Sequence, residues 1–486
     1  MSKGSSLYIN GRWCDGAGVL LRSCAPIGGR CLWQKHQASI EQVEEAYAAA
    51  RSAQLEWAKL GLARRLELIE AFAQLLRENQ NALMATIAAE TGKPEWEAAT
   101  EVTAMINKIG ISKQAQQERA GTKHNGNLHL YHRAHGVMAV LGPYNFPGHI
   151  PNGHIVPALL AGNTIVFKPS EETPLVAEQT VALWHKADLP CGVLNLLQGG
   201  GEIGATLCRQ DINGLLFTGS YNTGKRIHQS MAARPEVLLA LEMGGNNPLI
   251  VDEVENFNTA VQIILKSAYL SAGQRCTSAR RLIVVENNNT EELFEILQRN
   301  IDHMIVGPSE DKAEPFMGAL INDSMVQRLL RAQQELLSSG GRALRSMRLL
   351  KQDSNLLSPG LIDMSAVNMP PDEEWFGPLL QVFRVKDLQQ AIALANNTKF
   401  GLAAGLICDN PEKQNLFIET IHAGVIAINQ PTAGASSALP FGGVGYSGNH
   451  RPSAYYAADY CAWPQSLMFG PATCEQNTEV MRGIRQ

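Results

Sequence analysis

The sequence predicts an α/β fold with two doubly wound domains, because strand-like and helix-like stretches alternate in two long series. Alternation of this kind is typical of a mainly parallel sheet flanked by helices. The first series has short apolar runs at residues 137–141, 164–167, 193–197, 214–217 and 238–241. The second has strand-like runs at 282–285, 381–385, 402–407 and 425–428, with helical stretches at 290–300 and 388–396. A chain of 486 residues, 45% of them hydrophobic, is long enough to bury the cores of two or three domains.

The first third of the chain, before the pattern changes at Val137, is predicted to be helical. Ser39 is followed three residues later by Gln42, which is the pattern of a capping box at a helix start. Apolar residues then recur at helical spacing, and a second helical stretch follows at about 63–91.

Composition excludes several classes of protein. The 41 Lys and Arg against 46 Asp and Glu give a net charge of −5 without a basic stripe, so we expect no nucleic-acid partner. Nine cysteines, an odd number scattered without CxxC or Cys/His spacing, argue against a disulfide framework and a structural metal. The start lacks a signal-peptide pattern, and no apolar run reaches the roughly 18–20 residues that span a bilayer. We therefore expect a cytoplasmic protein with no membrane partner.

Two reactive residues lie among glycines. Cys276 follows the sequence Ser-Ala-Gly-Gln-Arg, and Glu242 precedes Met-Gly-Gly-Asn-Asn-Pro. A thiolate nucleophile and a base able to activate water indicate covalent catalysis on a carbonyl. Each residue alone has a simpler explanation, since a free cysteine is most often a small buried apolar residue and a glutamate most often faces water.

A glycine-rich stretch at 199–204 fits G-x-G-x-x-G after a strand-like run. The acidic residue expected about 20 positions later is missing, so the motif alone is weak support for a dinucleotide site.

Further motifs occur in one order along the chain, at residues 141–147, 161–171, 217–224, 374–378 and 440–443. Together with the segments around Glu242 and Cys276, they resemble the NAD(P)-dependent aldehyde dehydrogenase superfamily over nearly the whole chain. The resemblance implies an aldehyde dehydrogenase-like fold of two doubly wound α/β domains plus a small β oligomerisation arm. It places an NAD-binding domain at 1–119 and 141–245, a catalytic domain at 246–461, and the arm at 120–140 and 462–486. A homodimer or homotetramer is expected.

The resemblance also implies catalytic roles. Cys276 would attack the aldehyde carbon, and the side chain of Asn145 with the backbone N–H of Cys276 would hold the oxyanion. Glu242 would activate the water that hydrolyses the thioester. Because relatives that transfer the acyl group to coenzyme A generally lack this glutamate, a hydrolytic enzyme that releases a carboxylate is expected.

For the cofactor, the resemblance favours NAD. Glu171 would bind the ribose hydroxyls and repel a 2′-phosphate, with Lys168 beside it, although a pair of solvated surface residues is the alternative. Glu374 and Phe376 would hold the nicotinamide ribose and ring. The glycine turn against the cofactor comprises Gly219, Ser220, Tyr221, Asn222, Thr223 and Gly224. Tyr144 stands where many relatives carry Trp.

Fewer sequence features indicate the substrate. Residues 148–157, 242–248 and 448–460 resemble a branch of the superfamily that acts on an anionic semialdehyde in bacterial arginine catabolism. Ser436 and Ser437 offer hydroxyls and backbone N–H groups to a carboxylate, and His450 is a further candidate, although a small-residue turn and a structural histidine are the alternatives. A dehydrogenase for another semialdehyde, such as succinate semialdehyde or glutamate 5-semialdehyde, stays open. A non-catalytic protein on the same fold is the remoter alternative.

Overall fold

The computed structural model describes residues 4–308, 313–452, 455–470, 472 and 482–484. The strands in chain order are β1 (Ser5–Ile9), β2 (Arg12–Asp15), β3 (Leu20–Cys24), β4 (Cys31–His36), β5 (Lys123–Asn125), β6 (Leu128–Ala134), β7 (Val137–Leu141), β8 (Thr164–Lys168), β9 (Leu194–Leu196), β10 (Gly214–Gly219), β11 (Leu238–Met243), β12 (Asn247–Val251), β13 (Ala279–Val285), β14 (Arg342–Arg345), β15 (Gly360–Asp363), β16 (Leu379–Val385), β17 (Ala403–Ile407), β18 (Val425–Ile428) and β19 (Ala462–Met468). The helices are α1 (Ile40–Lys59), α2 (Leu62–Glu78), α3 (Gln80–Thr91), α4 (Glu95–Arg119), α5 (His149–Ala161), α6 (Pro174–Lys186), α7 (Gly201–Arg209), α8 (Tyr221–Ser230), α9 (Phe257–Tyr269), α10 (Thr290–Asp302), α11 (Asp323–Ser338), α12 (Leu388–Asn396), α13 (Pro411–Thr420) and α14 (Ala457–Tyr460).

The first sheet has the strand order β11-β10-β7-β8-β9-β1-β2. Its five strands from β11 to β9 are parallel, and β1 and β2 add antiparallel strands at one edge. Alternate residues of β7 enter two different apolar cores, with Met138 and Val140 on one face and Val137, Ala139 and Leu141 on the other. Helices therefore cover both faces, as the alternating pattern predicted.

The second sheet has the order β14-β15-β16-β13-β12-β17-β18, and all its neighbours are parallel except β14 and β15. Strand β12 lies between β13 and β17, yet its start, Asn247-Pro248, looks like a turn in the sequence. Proline cannot donate to a sheet ladder, and the pairing of β12 with β13 is irregular between these two residues. Because the strand begins with these turn-like residues, the sequence pattern did not predict it.

The helices predicted from residue 39 to 91 are confirmed with one change, but residues 5–36, which were also expected to be helical, form the strands β1 to β4. Ser39 and Gln42 form the capping box that begins α1. The stretch predicted at 63–91 is two helices, because α2 ends and α3 begins at Asn79, whose backbone leaves the helical conformation.

A small antiparallel sheet of β19, β6 and β5 stands apart from the two large ones. Strand β19 pairs with β6 from Ala462 opposite Ala134 to Met468 opposite Leu128. The two segments assigned to the arm thus form one sheet, while its part in oligomerisation stays a prediction. Residues 471, 473–481, 485 and 486 of that assignment lie outside the described residues.

Within the described residues, no helix is both long and apolar enough to cross a membrane.

Candidate active site

Glu242 lies in β11, beside Thr218 of β10, and only 2% of its surface is exposed. Its side chain lies beside the thiol of Cys276 and interacts with it. The Oε1 atom has no hydrogen-bond partner among the described protein atoms. A buried carboxylate oxygen without a partner is costly, so this atom is available to a water or a substrate group.

Cys276 is presented by an unusual turn. Ser271, Ala272 and Gly273 all have positive φ (56°, 52° and 68°), and strand β13 begins at Ala279. A Cβ on Gly273 would lie 2.1 Å from the backbone oxygen of Gly377, so only glycine fits there. The turn therefore packs directly against the 374–378 motif.

Burial sets the protonation of this pair. Burial, reinforced by Glu374, raises the pKa of Glu242 to about 8, even though the hydrogen bond from Cys276 lowers it. Burial, with the charges of Glu242 and Glu374, raises the pKa of the Cys276 thiol. Since Glu242 is buried and Cys276 and Glu374 are partly buried, these three acidic groups cannot all be charged together without a cation nearby.

Arg280 supplies a cation. It is completely buried and donates to the backbone oxygens of Gly273 (2.7 Å), Gly377 (3.1 Å) and Arg275 (3.0 Å). Burial raises the pKa of Glu374, and the charge of Arg280 acts to lower it. One side chain thus joins the turn before Cys276 to the segment that carries Glu374 and Phe376, a connection that the sequence pattern did not show.

Asn145 lies between β7 and α5 with 6% of its surface exposed. Its Nδ2 donates to the backbone oxygen of Gln274 at 2.9 Å, and its backbone oxygen accepts from Lys93. Since an amide nitrogen has two N–H groups, one hydrogen remains beside the Cys276 turn.

Two ion pairs that sequence reasoning missed surround Phe146. Lys93 binds Glu101 at 3.1 Å, and Arg275 binds Glu97 at 2.6 Å. The Lys93 nitrogen lies 3.8 Å from the centre of the Phe146 ring, and the Arg275 guanidinium carbon lies 5.2 Å from it. The position of Arg275 beside the cysteine was the only signal, and nothing in the sequence indicated its partner on α4.

Glu101 also fixes the start of α5. Its second carboxylate oxygen accepts from the backbone N–H groups of Gly148 (2.9 Å) and His149 (3.2 Å). A carboxylate at a helix N-terminus is favourable, so the pair with Lys93 and the helix cap together hold the 145–149 segment in place.

The predicted cofactor residues of the 161–171 motif lie at the end of β8. The Lys168 nitrogen donates to the backbone oxygens of Pro169 (2.6 Å) and Gly199 (2.7 Å) and lies 3.5 Å from Glu171. Burial lowers the pKa of Lys168, while Glu171 acts to raise it. The Glu171 side chain is 48% exposed. A carboxylate held over an open surface is suited to hydroxyl groups of a ligand.

The 219–224 turn joins β10 to α8. Ser220 caps the helix by accepting from the backbone N–H of Thr223 at 3.3 Å. A Cβ on Gly224 would lie 2.3 Å from the sulfur of Met243, so glycine lets α8 approach the sheet. Tyr221 stacks on Tyr446 with ring centres 4.0 Å apart. Asn222 is exposed in the first turn of the helix.

Glu374 and Phe376 lie close to the catalytic residues. A Glu374 oxygen accepts from the backbone N–H of Gly245 at 3.2 Å, and a Cβ on Gly244 would lie 1.9 Å from its other oxygen. Phe376 meets Tyr144 edge to face at 6.1 Å. Glycine at 244 therefore gives Glu374 room beside the strand that carries Glu242.

The predicted substrate residues lie nearer the surface. Ser436 and His450 are exposed and Ser437 is half-buried. The Ser436 hydroxyl accepts from the backbone N–H of Ala438 at 3.3 Å, and His450 has a φ of 55°. Within the described part of the chain, no hydrogen bond joins these three side chains to Cys276, Glu242 or Asn145.

The chain belongs to the aldehyde dehydrogenase family, whose model matches residues 13–465. Over 468 residues, covering 95% of both chains, it is 51% identical to the N-succinylglutamate 5-semialdehyde dehydrogenases of Escherichia coli (strain 55989 / EAEC) and Shigella flexneri serotype 5b (strain 8401). Its fold matches a crystal structure of 1-pyrroline-5-carboxylate dehydrogenase from Thermus with bound NAD, with a TM-score of 0.89, 28% identity and coverage of 96% and 92% of the two chains. It also matches the aldehyde dehydrogenase KauB from Pseudomonas aeruginosa, with a TM-score of 0.89, 27% identity and 96% coverage of both chains. The predicted fold class and enzyme family are therefore confirmed.

Proposed function

We propose that this protein oxidises N-succinyl-L-glutamate 5-semialdehyde to N-succinyl-L-glutamate with NAD, through a thioester on Cys276. The observation that carries the proposal is the contact between the partly exposed thiol of Cys276 and the buried carboxyl of Glu242, a nucleophile and a base in one site. The 51% identity to enzymes named for this substrate supports the choice of aldehyde.

The first step is attack by the sulfur of Cys276 on the aldehyde carbon. The thiol must lose its proton, and burial together with Glu242 and Glu374 disfavours the thiolate. This proton passes to solvent, since Cys276 is partly exposed, so Glu242 beside the thiol is free to act as the base of the later hydrolysis. Arg280 lies behind the turn and offsets the negative charge that forms.

The aldehyde oxygen becomes an oxyanion in this step. Asn145 has an amide hydrogen not used by Gln274, and Phe146 and Lys93 fix the rest of the residue. With the backbone N–H of Cys276, it would form a preorganised pair of donors. Removing such a donor typically slows acyl-transfer enzymes by about 10²–10³-fold.

Bound NAD would accept hydride from the substrate carbon, leaving a thioester on Cys276. Glu242 then removes a proton from water, which attacks the thioester carbon and releases the carboxylate. The unpartnered Oε1 of Glu242 is the atom available to that water. A pKa of about 8 leaves a substantial fraction of Glu242 ionised at mildly alkaline pH.

Residues of the first sheet fit NAD. The backbone around Gly200 and Gly201 is open, since a Cβ at either would have no neighbour within 4 Å. Lys168 connects Glu171 to this stretch, because its nitrogen lies 3.5 Å from the Glu171 carboxylate and donates to the backbone oxygen of Gly199 at 2.7 Å. Carboxylate oxygens accept hydrogen bonds from ribose hydroxyls and repel a 2′-phosphate, which favours NAD over NADP.

The substrate carries two carboxylates remote from its aldehyde. The loop of Ser436 and Ser437 adjoins the Cys276 turn, because Arg275 donates to the backbone oxygen of Ala433 at 2.9 Å, and Gly448, two residues before His450, pairs with Glu242. Hydroxyl and backbone N–H groups there would receive the carboxylates. Arg275 is the nearest cation in the sequence, but its charge is already paired with Glu97.

The arm of β5, β6 and β19 supports self-association. Leu128, Met468 and Phe469 expose 55%, 81% and 52% of their surfaces there. Apolar side chains of this size are suited to a protein interface, and we include a homodimer or homotetramer in the proposal.

The test is NADH formation across a small panel of aldehydes: succinylglutamate semialdehyde, succinate semialdehyde, glutamate 5-semialdehyde and hexanal. We expect succinylglutamate semialdehyde to have by far the highest kcat/KM. Uncharged hexanal leaves the polar groups of the site unpaired, which costs binding. Equal kcat/KM for hexanal and succinylglutamate semialdehyde would overturn the substrate assignment, and a higher value for glutamate 5-semialdehyde would replace it.

A further inference from the structure

Two cysteines face each other across the hairpin of β3 and β4. Cys24 ends β3 and Cys31 begins β4, and their Cα atoms are partners across the hairpin, directly after a register shift between Ser23 and Cys24. The backbone N–H of Ala25 donates to the oxygen of Arg30 at 2.8 Å. Since hydrogen-bonded and non-hydrogen-bonded pairs alternate in an antiparallel ladder, Cys24 and Cys31 form a non-hydrogen-bonded pair.

The geometry of such a pair suits a disulfide. Cα atoms in a non-hydrogen-bonded pair are about 4.5 Å apart and their side chains lie on one face. Disulfides form at Cα separations of roughly 4.4–6.8 Å. The two thiols interact across the hairpin, and the Cys31 sulfur also lies 3.6 Å from the backbone oxygen of Trp33.

The two cysteines differ in access. Cys31 is exposed, whereas Cys24 is only partly so. Burial, followed by the neighbouring Cys31, raises the pKa of the Cys24 thiol. A small oxidant therefore meets Cys31 first, and Cys24 is placed to resolve the product.

The pair lies at the neck of the hairpin, which is the point where the 25–30 loop leaves β3 and β4. This hairpin makes hydrogen bonds to two other parts of the chain. Its tip bonds to the 353–355 loop, with Gly28 donating to the oxygen of Asp353 and Pro26 accepting from Asn355, both at 3.2 Å. At the neck, the Ser23 hydroxyl donates to the backbone oxygen of Glu172 at 2.9 Å, next to Glu171. A bond at this neck would fix the hairpin beside the proposed ribose site.

We propose that Cys24 and Cys31 are a reversible dithiol–disulfide site that reacts with low-molecular-weight disulfides. The Cys31 thiolate attacks one sulfur of the small disulfide, whose S–S bond breaks and releases one thiolate. The Cys24 thiolate then attacks the Cys31 sulfur and releases the second. Two protein thiols lose two electrons and two protons, and the small disulfide becomes two thiols. This site is independent of the proposed dehydrogenase activity.

The sequence provides a direct test, because trypsin cleaves after Arg22, Arg30 and Lys35 and so separates the two cysteines. The full-length protein is incubated with glutathione disulfide, free thiols are blocked with N-ethylmaleimide, and tryptic peptides are measured by mass spectrometry. We expect peptides 23–30 and 31–35 linked to each other, with a mass two hydrogens below their sum, and separated by dithiothreitol.

Two controls use the same measurement. In Cys24→Ser, we expect Cys31 to keep a glutathione adduct, because no thiol can resolve it. Cys191 is exposed but has no cysteine opposite it in the described strands, so we expect at most a glutathione adduct there. Recovery of Cys24 and Cys31 as separate alkylated or glutathionylated peptides in the wild-type protein would overturn the proposal, as would their linkage to other cysteines instead.

Discussion

The side chains of Glu242 and Cys276 lie beside each other and interact, although they come from different sheets of the fold. Glu242 belongs to β11 of the first sheet, and Cys276 precedes β13 of the second. The contact raises the pKa of the thiol and lowers that of the carboxyl, while burial raises both. The protonation states of the nucleophile and the base are therefore coupled. The two groups are neighbours only because the two sheets come together at this point.

Replacing the base tests its role in hydrolysis. In Glu242→Gln, sulfur attack and hydride transfer remain possible, but no group activates water. We expect a burst of NADH near one per active site followed by turnover slowed by about 10²-fold or more. Rapid-mixing absorbance measurements give both values. Loss of the burst itself would assign Glu242 to the activation of Cys276 instead.

The raised pKa of Glu242 also predicts a pH effect on stability. A carboxyl at about 8 in the folded protein and near 4.5 when unfolded holds its proton more tightly when folded, so its stabilising contribution is lost as pH rises from about 4.5 to 8. That difference corresponds to at most about 5 kcal/mol. Glu242→Gln should lack this loss, and the Tm of the variant minus that of the wild type should rise between pH 5 and pH 8. A difference independent of pH would contradict the buried, raised carboxyl.

Cofactor choice is tested at Glu171. Glu171→Gln removes the charge that repels a 2′-phosphate, so the ratio of kcat/KM for NAD to that for NADP should fall about tenfold, or about 1.4 kcal/mol. Glu236, an exposed carboxylate with a surface ion pair, is a matched control, and Glu236→Gln should leave the ratio unchanged. An equal ratio in Glu171→Gln and the wild type would place selectivity elsewhere.

We expect the charge of Arg280 to increase the thiolate fraction of Cys276. Arg280→Met removes a buried cation and three hydrogen bonds to backbone oxygens, whereas Arg280→Lys keeps the charge. Loss of one partner from a buried charged group typically costs about 3–5 kcal/mol, so both the Tm and the thiolate fraction should fall most in the Met variant. Alkylation of Cys276 by iodoacetamide at pH 8 should slow in the order wild type, Lys, Met. Equal alkylation rates in folded Lys and Met variants would show that the charge of Arg280 does not act on Cys276.

Sequence patterns predicted the strands β7 to β11, β13 and β16 to β18, because buried parallel strands are continuous apolar runs, but they did not predict β1, β2, β14 and β15 of the same sheets. Strand β12 was missed because Pro248 is a local turn signal that the surrounding strands override. The hairpin of β3 and β4 was also missed, since its burial is mixed and its strands lie outside both large sheets.

In the site, short motifs identified the reactive residues but not the contacts that position them. Arg280 donates to the backbone oxygens of Gly273 and Gly377. Every residue has a backbone oxygen, so such an acceptor cannot be recognised from the sequence. The pair of Arg275 with Glu97 joins residues far apart in the chain and depends on how α4 packs against the turn.

The most direct test of the proposed function is the chemical species trapped on Cys276. Glu242→Gln is mixed with NAD and succinylglutamate semialdehyde, quenched in acid and digested with trypsin, which releases Cys276 in the peptide 276–280. We predict that this peptide carries an N-succinylglutamyl thioester and that the adduct disappears when Cys276 is replaced by Ala. An unmodified peptide 276–280 alongside a full burst of NADH would contradict covalent catalysis by Cys276.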